Sequence, residues 1–262
     1  MIYKPAQGLI SAGGFRNHPR YRGCIGHWLM NEGSGLKAYD VSGFRKDGTF
    51  SNGPTWASGQ YGHVIRFDGS DDFVSCGNYA DINALTDNFS VCFSILPTAT
   101  AQTTKGIITH LSGSDTGWVI AFGSVGQLRF PFYSEGASGD ITLINGTWYR
   151  VVAQQVAGVN ILWVNGTVET STGSRAIPSV SEPLLFGRIY SSFTGFNASM
   201  LLDDVRIYNR VLTPAEIASD YNNPFLEFRQ SSRRVFAALA PAAGYLPRSV
   251  IVSQAVQRAA NW

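Results

Sequence analysis

Short runs of alternating apolar and small or polar residues, each closed by a glycine-bearing turn, recur along the whole chain and allow very little besides a β-sheet protein. Phe89-Ser90-Val91-Cys92-Phe93-Ser94-Ile95 is the clearest, with Phe89, Val91, Phe93 and Ile95 on one face and small residues on the other. Trp148 to Gln155 and Asn160 to Val164 are joined through Ala157-Gly158, and Asn165-Gly166 turns the chain into Thr167 to Thr170, which predicts a three-strand meander. Further runs cover 26–30, 64–67, 73–76, 106–111, 118–122, 127–133, 184–188 and 200–208. About a dozen strands in roughly two hundred residues suit one antiparallel sandwich. One helix is signalled, near 214–221: Thr213-Pro214-Ala215-Glu216 carries an N-cap threonine, a proline at the first helical position and a glutamate at the third. Composition agrees, with 28 glycines and 13% aromatics in 262 residues, and it excludes a disordered chain, since 44% of residues are hydrophobic and only 15% charged.

No run of eighteen apolar residues predicts a membrane-spanning helix, and Met1 to Gly14 lacks the pattern of a secretory signal. The net charge of +2 conceals an uneven distribution. Residues 1–25 carry Lys4, Arg16, Arg20 and Arg22 and no acid, while 225–262 carry Arg229, Arg233, Arg234, Arg248 and Arg258 against Glu227. The body, 26–224, holds 11 basic and 17 acidic residues. The expected organisation is therefore a basic N-terminal arm (1–25), a folded body (26–224) and a basic C-terminal arm (225–262). Cys24, Cys76 and Cys92 form no metal spacing; Cys76 and Cys92 either bridge neighbouring strands or, like Cys24, are small core residues.

Six motifs in order resemble the laminin G-like branch of the concanavalin A-like lectin/glucanase superfamily. They are Gly26-His27-Trp28-Leu29-Met30-Asn31-Glu32-Gly33-Ser34-Gly35, Asp40-Val41-Ser42-Gly43, Phe67-Asp68-Gly69-Ser70-Asp71-Asp72-Phe73-Val74, Trp148-Tyr149, Leu162-Trp163-Val164-Asn165-Gly166, and Asp203-Asp204-Val205-Arg206-Ile207-Tyr208-Asn209-Arg210-Val211-Leu212-Thr213. The resemblance covers about 26–224 and implies a two-sheet jelly roll in which the first strand and the Asp-Asp-Val-Arg-Ile-Tyr strand close the sandwich together. The chain departs from it at Ala198, Ser199, Met200 and Leu201, where the family usually has a glycine.

Some members of that superfamily hydrolyse glycosides with carboxylates alternating on one strand. Here none of the six glutamates lies within four residues of another, and the adjacent members of Asp71-Asp72 and Asp203-Asp204 face opposite ways if extended. His18, His27, His63 and His110 are scattered and no nucleophile elbow occurs, so no catalytic residue is expected. The resemblance also implies calcium in some modules; Asp40 with Asp203 and Asp204 is the candidate set, Asp68, Asp71 and Asp72 form a second acidic turn, and Asx turns are the alternative for both. For sugar recognition, 190–197 is the expected loop, through Tyr190, Phe193, Phe196 and Asn197, with Trp118 and Tyr133 beside it; the alternative is that the phenylalanines fold back onto the core.

The arms' positive charge is too sparse for nucleic acid, whereas arginine outnumbers lysine 16 to 4, which suits protein interfaces. Arg16, Arg20, Arg22, Arg229, Arg233, Arg234, Arg248 and Arg258 are thus expected to clasp neighbouring subunits. The resulting expectation is a non-catalytic, lectin-like building block of a virion surface, such as a capsid decoration or tail-associated protein, with cell-surface glycan as a further partner. A free carbohydrate-binding module, extracellular or at a cell surface, is the alternative, and an enzyme with an unfamiliar site is the third reading.

Overall fold

The computed structural model describes residues 4–5, 14–100, 102–113, 116–130, 137–174, 177–190 and 195–228. Sixteen strands are present among them: β1 (Cys24–Trp28), β2 (Lys37–Ala38), β3 (Gly48–Ser51), β4 (Thr55–Ser58), β5 (His63–Asp68), β6 (Phe73–Ser75), β7 (Phe89–Pro97), β8 (Lys105–Leu111), β9 (Gly117–Phe122), β10 (Gln127–Phe130), β11 (Ala137–Thr142), β12 (Tyr149–Val156), β13 (Val159–Val164), β14 (Thr167–Ser174), β15 (Leu185–Phe186) and β16 (Ser199–Tyr208). They form two antiparallel sheets, an all-β jelly-roll sandwich. One runs β14-β13-β12-β7-β16-β5-β4, with β1 also on β16; the other runs β11-β10-β9-β8-β15-β6-β3-β2. The expected meander is β12-β13-β14, and its two turns have positive φ at both central residues, Ala157-Gly158 and Asn165-Gly166. The closure of β1 on β16 is also present, with Trp28 opposite Val205.

Between the sheets lies the main core, in which Phe89, Val91, Phe93 and Ile95 of β7 meet Trp118, Phe130, Phe186 and Trp28. Here the alternation read from the sequence holds, but the opposite face of β7 is not open to water. A second core covers it, built from Phe15, Tyr21, Cys92, Val152, Tyr208, Ile217, Phe225 and Phe228. Its outer layer comprises 3-10 turns at Gly14–Asn17, Pro19–Tyr21 and Leu226–Phe228 together with helix α2 (Pro214–Asn222); a shorter helix, α1 (Ala80–Asn83), lies between β6 and β7. The signalled helix starts as expected: Thr213 Oγ1 accepts from the Glu216 amide, and Glu216 accepts from the Thr213 amide at 2.9 Å. All three cysteines are free and buried, which settles the alternatives for Cys76 and Cys92 in favour of core thiols.

The covered face is also where the chain concentrates buried charge. In β16 a bulge between Asp203 and Arg206, with φ +46° at Asp204, breaks the two-residue alternation. Leu202 and Val205 enter the main core, while Asp203 and Asp204 both serve the charged layer, contrary to the expectation that they face opposite ways. Within that layer Asp204 meets Arg150 and Arg206, Arg206 also meets Asp220 and Glu227, and Glu227 meets Arg20.

Candidate functional site

At one end of this layer the side chains part to leave a cleft of about 340 Å³. Its walls are Gln60 and Tyr61 from the β4–β5 turn, Trp148 and Tyr149 at the start of β12, Asn165 from the β13–β14 turn, and Tyr221, Asn222 and Pro224 at the end of α2. Ser94, Arg150 and Asp220 also line it. Each wall is held by its own element. Tyr61 stands edge-on to Phe225 at 5.7 Å, and the Tyr61 carbonyl accepts the Lys4 amide at 3.0 Å. Asn165 is fixed by accepting the Arg150 amide at 2.9 Å. Gly166 is required here: its φ is +81°, and a Cβ would come within 3.3 Å of the Tyr221 ring.

The charged residues of the cleft are paired with one another. Arg150 Nε donates to Asp220 at 2.6 Å, and Arg206 donates to the other carboxylate oxygen at 3.3 Å. Burial alone would raise the Asp220 and Asp204 carboxyls, but the guanidinium groups of Arg150 and Arg206 beside them hold both below the usual range, Asp204 far below it. Burial pushes Asp203 the other way, up to about 6, against the pull of Lys4 at 2.5 Å. Deeper in the layer, Tyr21 donates to His27 Nδ1 and His27 Nε2 lies 2.7 Å from Asp204. Burial, then Arg206, lowers the His27 pKa, so the neutral ring relays between a phenol and a carboxylate. This chain has the residue types of a proton relay, but His27 is fully buried and does not line the cleft.

The sequence-derived candidates are placed elsewhere. Trp118 is corrected outright: it is fully buried against Phe89 and offers no ring to a sugar. Tyr190 and Asn197 are buried too, Asn197 donating to the Asp72 carbonyl at 3.0 Å, and Phe196 packs edge-on against Tyr190 at 5.5 Å. The loop end thus folds back onto the sheet because its aromatics gain more from apolar contact than from water. Phe193 and Tyr133 lie outside the described residues, as do Arg229, Arg233, Arg234, Arg248 and Arg258.

Asp40 accepts three backbone amides, from His27, Ser42 and Lys46, at 2.8 to 3.0 Å. Asp203 pairs with Lys4, and Asp204 with two arginines and the His27 ring, so Asx-turn and ion-pair chemistry accounts for the contacts of these carboxylates, with His27 shared between Asp40 and Asp204. Among the described residues, the three carboxylates that approach within 4.8 Å of one another are Asp68, Asp71 and Asp72. Of the N-terminal arginines, Arg20 is buried and donates to Ser219, Asn223 and Glu227, so it clasps its own chain rather than a neighbour. Arg16 donates to the Val41 carbonyl, and Arg16 and Arg22 are exposed.

A family model described as the concanavalin A-like lectin/glucanases superfamily matches residues 68–218, more than half of the chain. The chain belongs to the concanavalin A-like lectin/glucanase superfamily. Solved structures with the same sandwich include domain 4 of AbnA, a GH43 extracellular arabinanase from Geobacillus stearothermophilus, in complex with arabinotriose. It is 17% identical, with a TM-score of 0.59 over 75% of this chain and 97% of that domain. Trypanosoma rangeli sialidase in complex with sialic acid is 16% identical with a TM-score of 0.59, but the match spans 76% of this chain and only 32% of the sialidase. The binding domain of Paraclostridial Mosquitocidal Protein 1 is 16% identical, with a TM-score of 0.57 over 76% of this chain and 52% of that one. No curated protein sequence matches significantly.

In this lectin-like sandwich the cleft residues that sequence reasoning missed are Gln60, Tyr61, Trp148, Tyr221 and Asn222. Only Trp148-Tyr149 carried a local signal. Two adjacent aromatics at a strand start send one ring inward and one outward, and here Tyr149 joins the main core while Trp148 stays half-buried at the cleft.

Proposed function

We propose that this protein is a non-catalytic, lectin-like carbohydrate-binding protein whose glycan site is the cleft between α2 and the β4–β5 turn. One observation carries the reading: Tyr61, Trp148, Tyr149 and Tyr221, with Pro224, line a cleft whose other walls are three amides, the Ser94 hydroxyl and the Arg150–Asp220 ion pair. Sugar rings present C–H faces that pack on aromatic rings and hydroxyls that need fixed donors and acceptors, and this wall supplies both. The arabinotriose-bound arabinanase domain supports the reading at the level of fold and ligand class, since this chain covers nearly all of it. Catalysis is not part of the proposal. Glycoside hydrolysis needs a proton-donating carboxyl and a second carboxylate about 5 to 9.5 Å apart. Among the described residues the cleft is lined by one acid, Asp220, and both its oxygens are held by arginines.

The test is a glycan array followed by calorimetric titration of the best binder. Replacing Trp148 by alanine is expected to weaken that binding by roughly tenfold or more, about 1.4 kcal/mol, with the melting temperature nearly unchanged. Binding that survives the replacement would move the site elsewhere on the sandwich.

A second reading, as a subunit of a larger particle such as a virion surface, draws on the basic C-terminal segment, where five arginines follow Phe228 without one acid. Under it the lectin-like body is displayed outward and the C-terminal arginines contact neighbouring subunits. A virion surface is the corresponding location, and an extracellular or cell-surface one goes with the free binding module.

A further inference from the structure

The cleft's charge, more than its shape, narrows what can enter it. Arg150 is turned into the protein: Nε donates to Asp220 at 2.6 Å, one terminal nitrogen donates to Ser94 Oγ and the Asp204 carbonyl at 3.3 and 3.1 Å, and the other is buried 3.1 Å from the Asp204 carboxylate, an ion pair without hydrogen-bond geometry. Asp220 is equally committed, one oxygen to Arg150 and the other to Arg206. The layer beneath is balanced, with Asp203, Asp204, Asp220 and Glu227 against Lys4, Arg20, Arg150 and Arg206. His27 adds no charge, because burial keeps its ring neutral.

A carboxylated or sulfated sugar could gain Arg150 only by drawing it from Asp220, which would leave a buried carboxylate without its partner. Stranding such a charge costs more than the new contact returns. An amino sugar meets the same obstacle from the other side, since it must take Asp220 from two arginines. The groups left at the rim are uncharged: the amides of Gln60, Asn165 and Asn222 and the hydroxyls of Tyr61 and Tyr221. Together they offer donors and acceptors suited to sugar hydroxyls.

Resting on the glycan-binding reading above, we infer that the cleft selects an uncharged sugar residue and discriminates against sialic, uronic, sulfated and amino sugars. The experiment uses the full chain on an array carrying neutral, sialylated, uronate, sulfated and amino glycans, followed by titration of the best neutral glycan and its uronate counterpart. The neutral glycan is expected to bind roughly tenfold or more tightly than the uronate. Asp220→Asn removes the negative charge that holds Arg150 with little change of shape and is expected to narrow that ratio, while thermal melting reports whether the variant folds. The wild-type comparison decides the matter even if that variant does not fold. Trp148-dependent binding of a charged glycan as tight as that of its neutral counterpart would overturn the inference and leave the glycan site standing. Absence of binding to any class would instead overturn the glycan-binding reading itself, and neutral-glycan binding indifferent to Trp148→Ala would overturn the assignment to this cleft.

Discussion

Asp204 is the residue on which most of the buried charge depends. Its carboxylate receives Arg150, Arg206 and His27, all of them nearly inaccessible to water. Removing one partner from such a set leaves uncompensated charge, so Asp204→Ala is expected to cost about 3 to 5 kcal/mol, read as a lower urea midpoint at unchanged slope. The pH dependence follows from the signs of the individual shifts. Asp204 and Asp220 are held below their unfolded values, so the stability they contribute is complete above about pH 4 and is lost as the pH falls further. His27 and His110 are kept neutral by burial, His110 down to about 4. Both charge only in the unfolded chain between about pH 6.5 and their folded values, so they too remove stability on acidification, and they begin earlier. Asp203, raised to about 6, has the opposite sign and offsets part of that loss as the pH falls through 6. Urea midpoints are therefore expected to decline gently from about pH 6.5 to 4 and steeply below about pH 4. A midpoint that rises over the first interval would mean that the raised carboxyls, Asp203 with Glu32 and Asp72, outweigh the histidines.

Among the elements, β16 and the strap at Lys4-Pro5 decide how the cleft is held. The bulge in β16 puts Asp203 where Lys4 Nζ reaches it at 2.5 Å, and the same ammonium donates to the carbonyls of Met30 and His63. Since the Lys4 amide also bonds to Tyr61, the strap fixes the β4–β5 turn that carries one cleft wall. Lys4→Ala is expected to speed amide exchange at 59–62 and to push the Asp203 carboxyl higher, because the nearest cation is gone. A carboxyl titration and an exchange experiment check the two effects separately. Strands were readable wherever local alternation was strong, as in β7 and the β12-β13-β14 meander. The strands β2, β3, β4 and β11 were not foreseen, and β2, β3 and β4 have only two to four residues each. Segments of that length carry too little periodicity of their own, and neighbouring strands impose their extended state.

Over the whole molecule, the central strands β1, β7, β12 and β16 of one sheet are buried on both faces, which makes residues 14–23 and 225–228 part of the fold. Arg20, expected as a contact to neighbours, is an internal staple between the N-terminal turn and the end of α2. Arg16 and Arg22 stay exposed, so the particle reading draws on them and on the basic residues beyond Phe228, which carry most of the arms' arginines. Light scattering of the full chain and of a truncation ending at Phe228 tests it. Association of the full chain that the truncation abolishes is the expected outcome for a subunit, whereas a monomeric full chain at every concentration removes that reading.

By itself the sequence determined the all-β sandwich and the capped helix, because those rest on local periodicity and turn chemistry, while the superfamily and the pairing of β1 with β16 followed from the resemblance that its ordered motifs carry. Only the tertiary structure decided which polar residues are buried and where the cleft lies. Arg150, Gln154, Asp204 and Arg206 are polar side chains that nothing local marks for burial; they are buried because α2 and residues 14–23 and 225–228 cover that face. The cleft joins side chains from Gln60 to Pro224, and a juxtaposition over that separation exists only once α2 has packed on the sheet that carries β5, β7, β12 and β13.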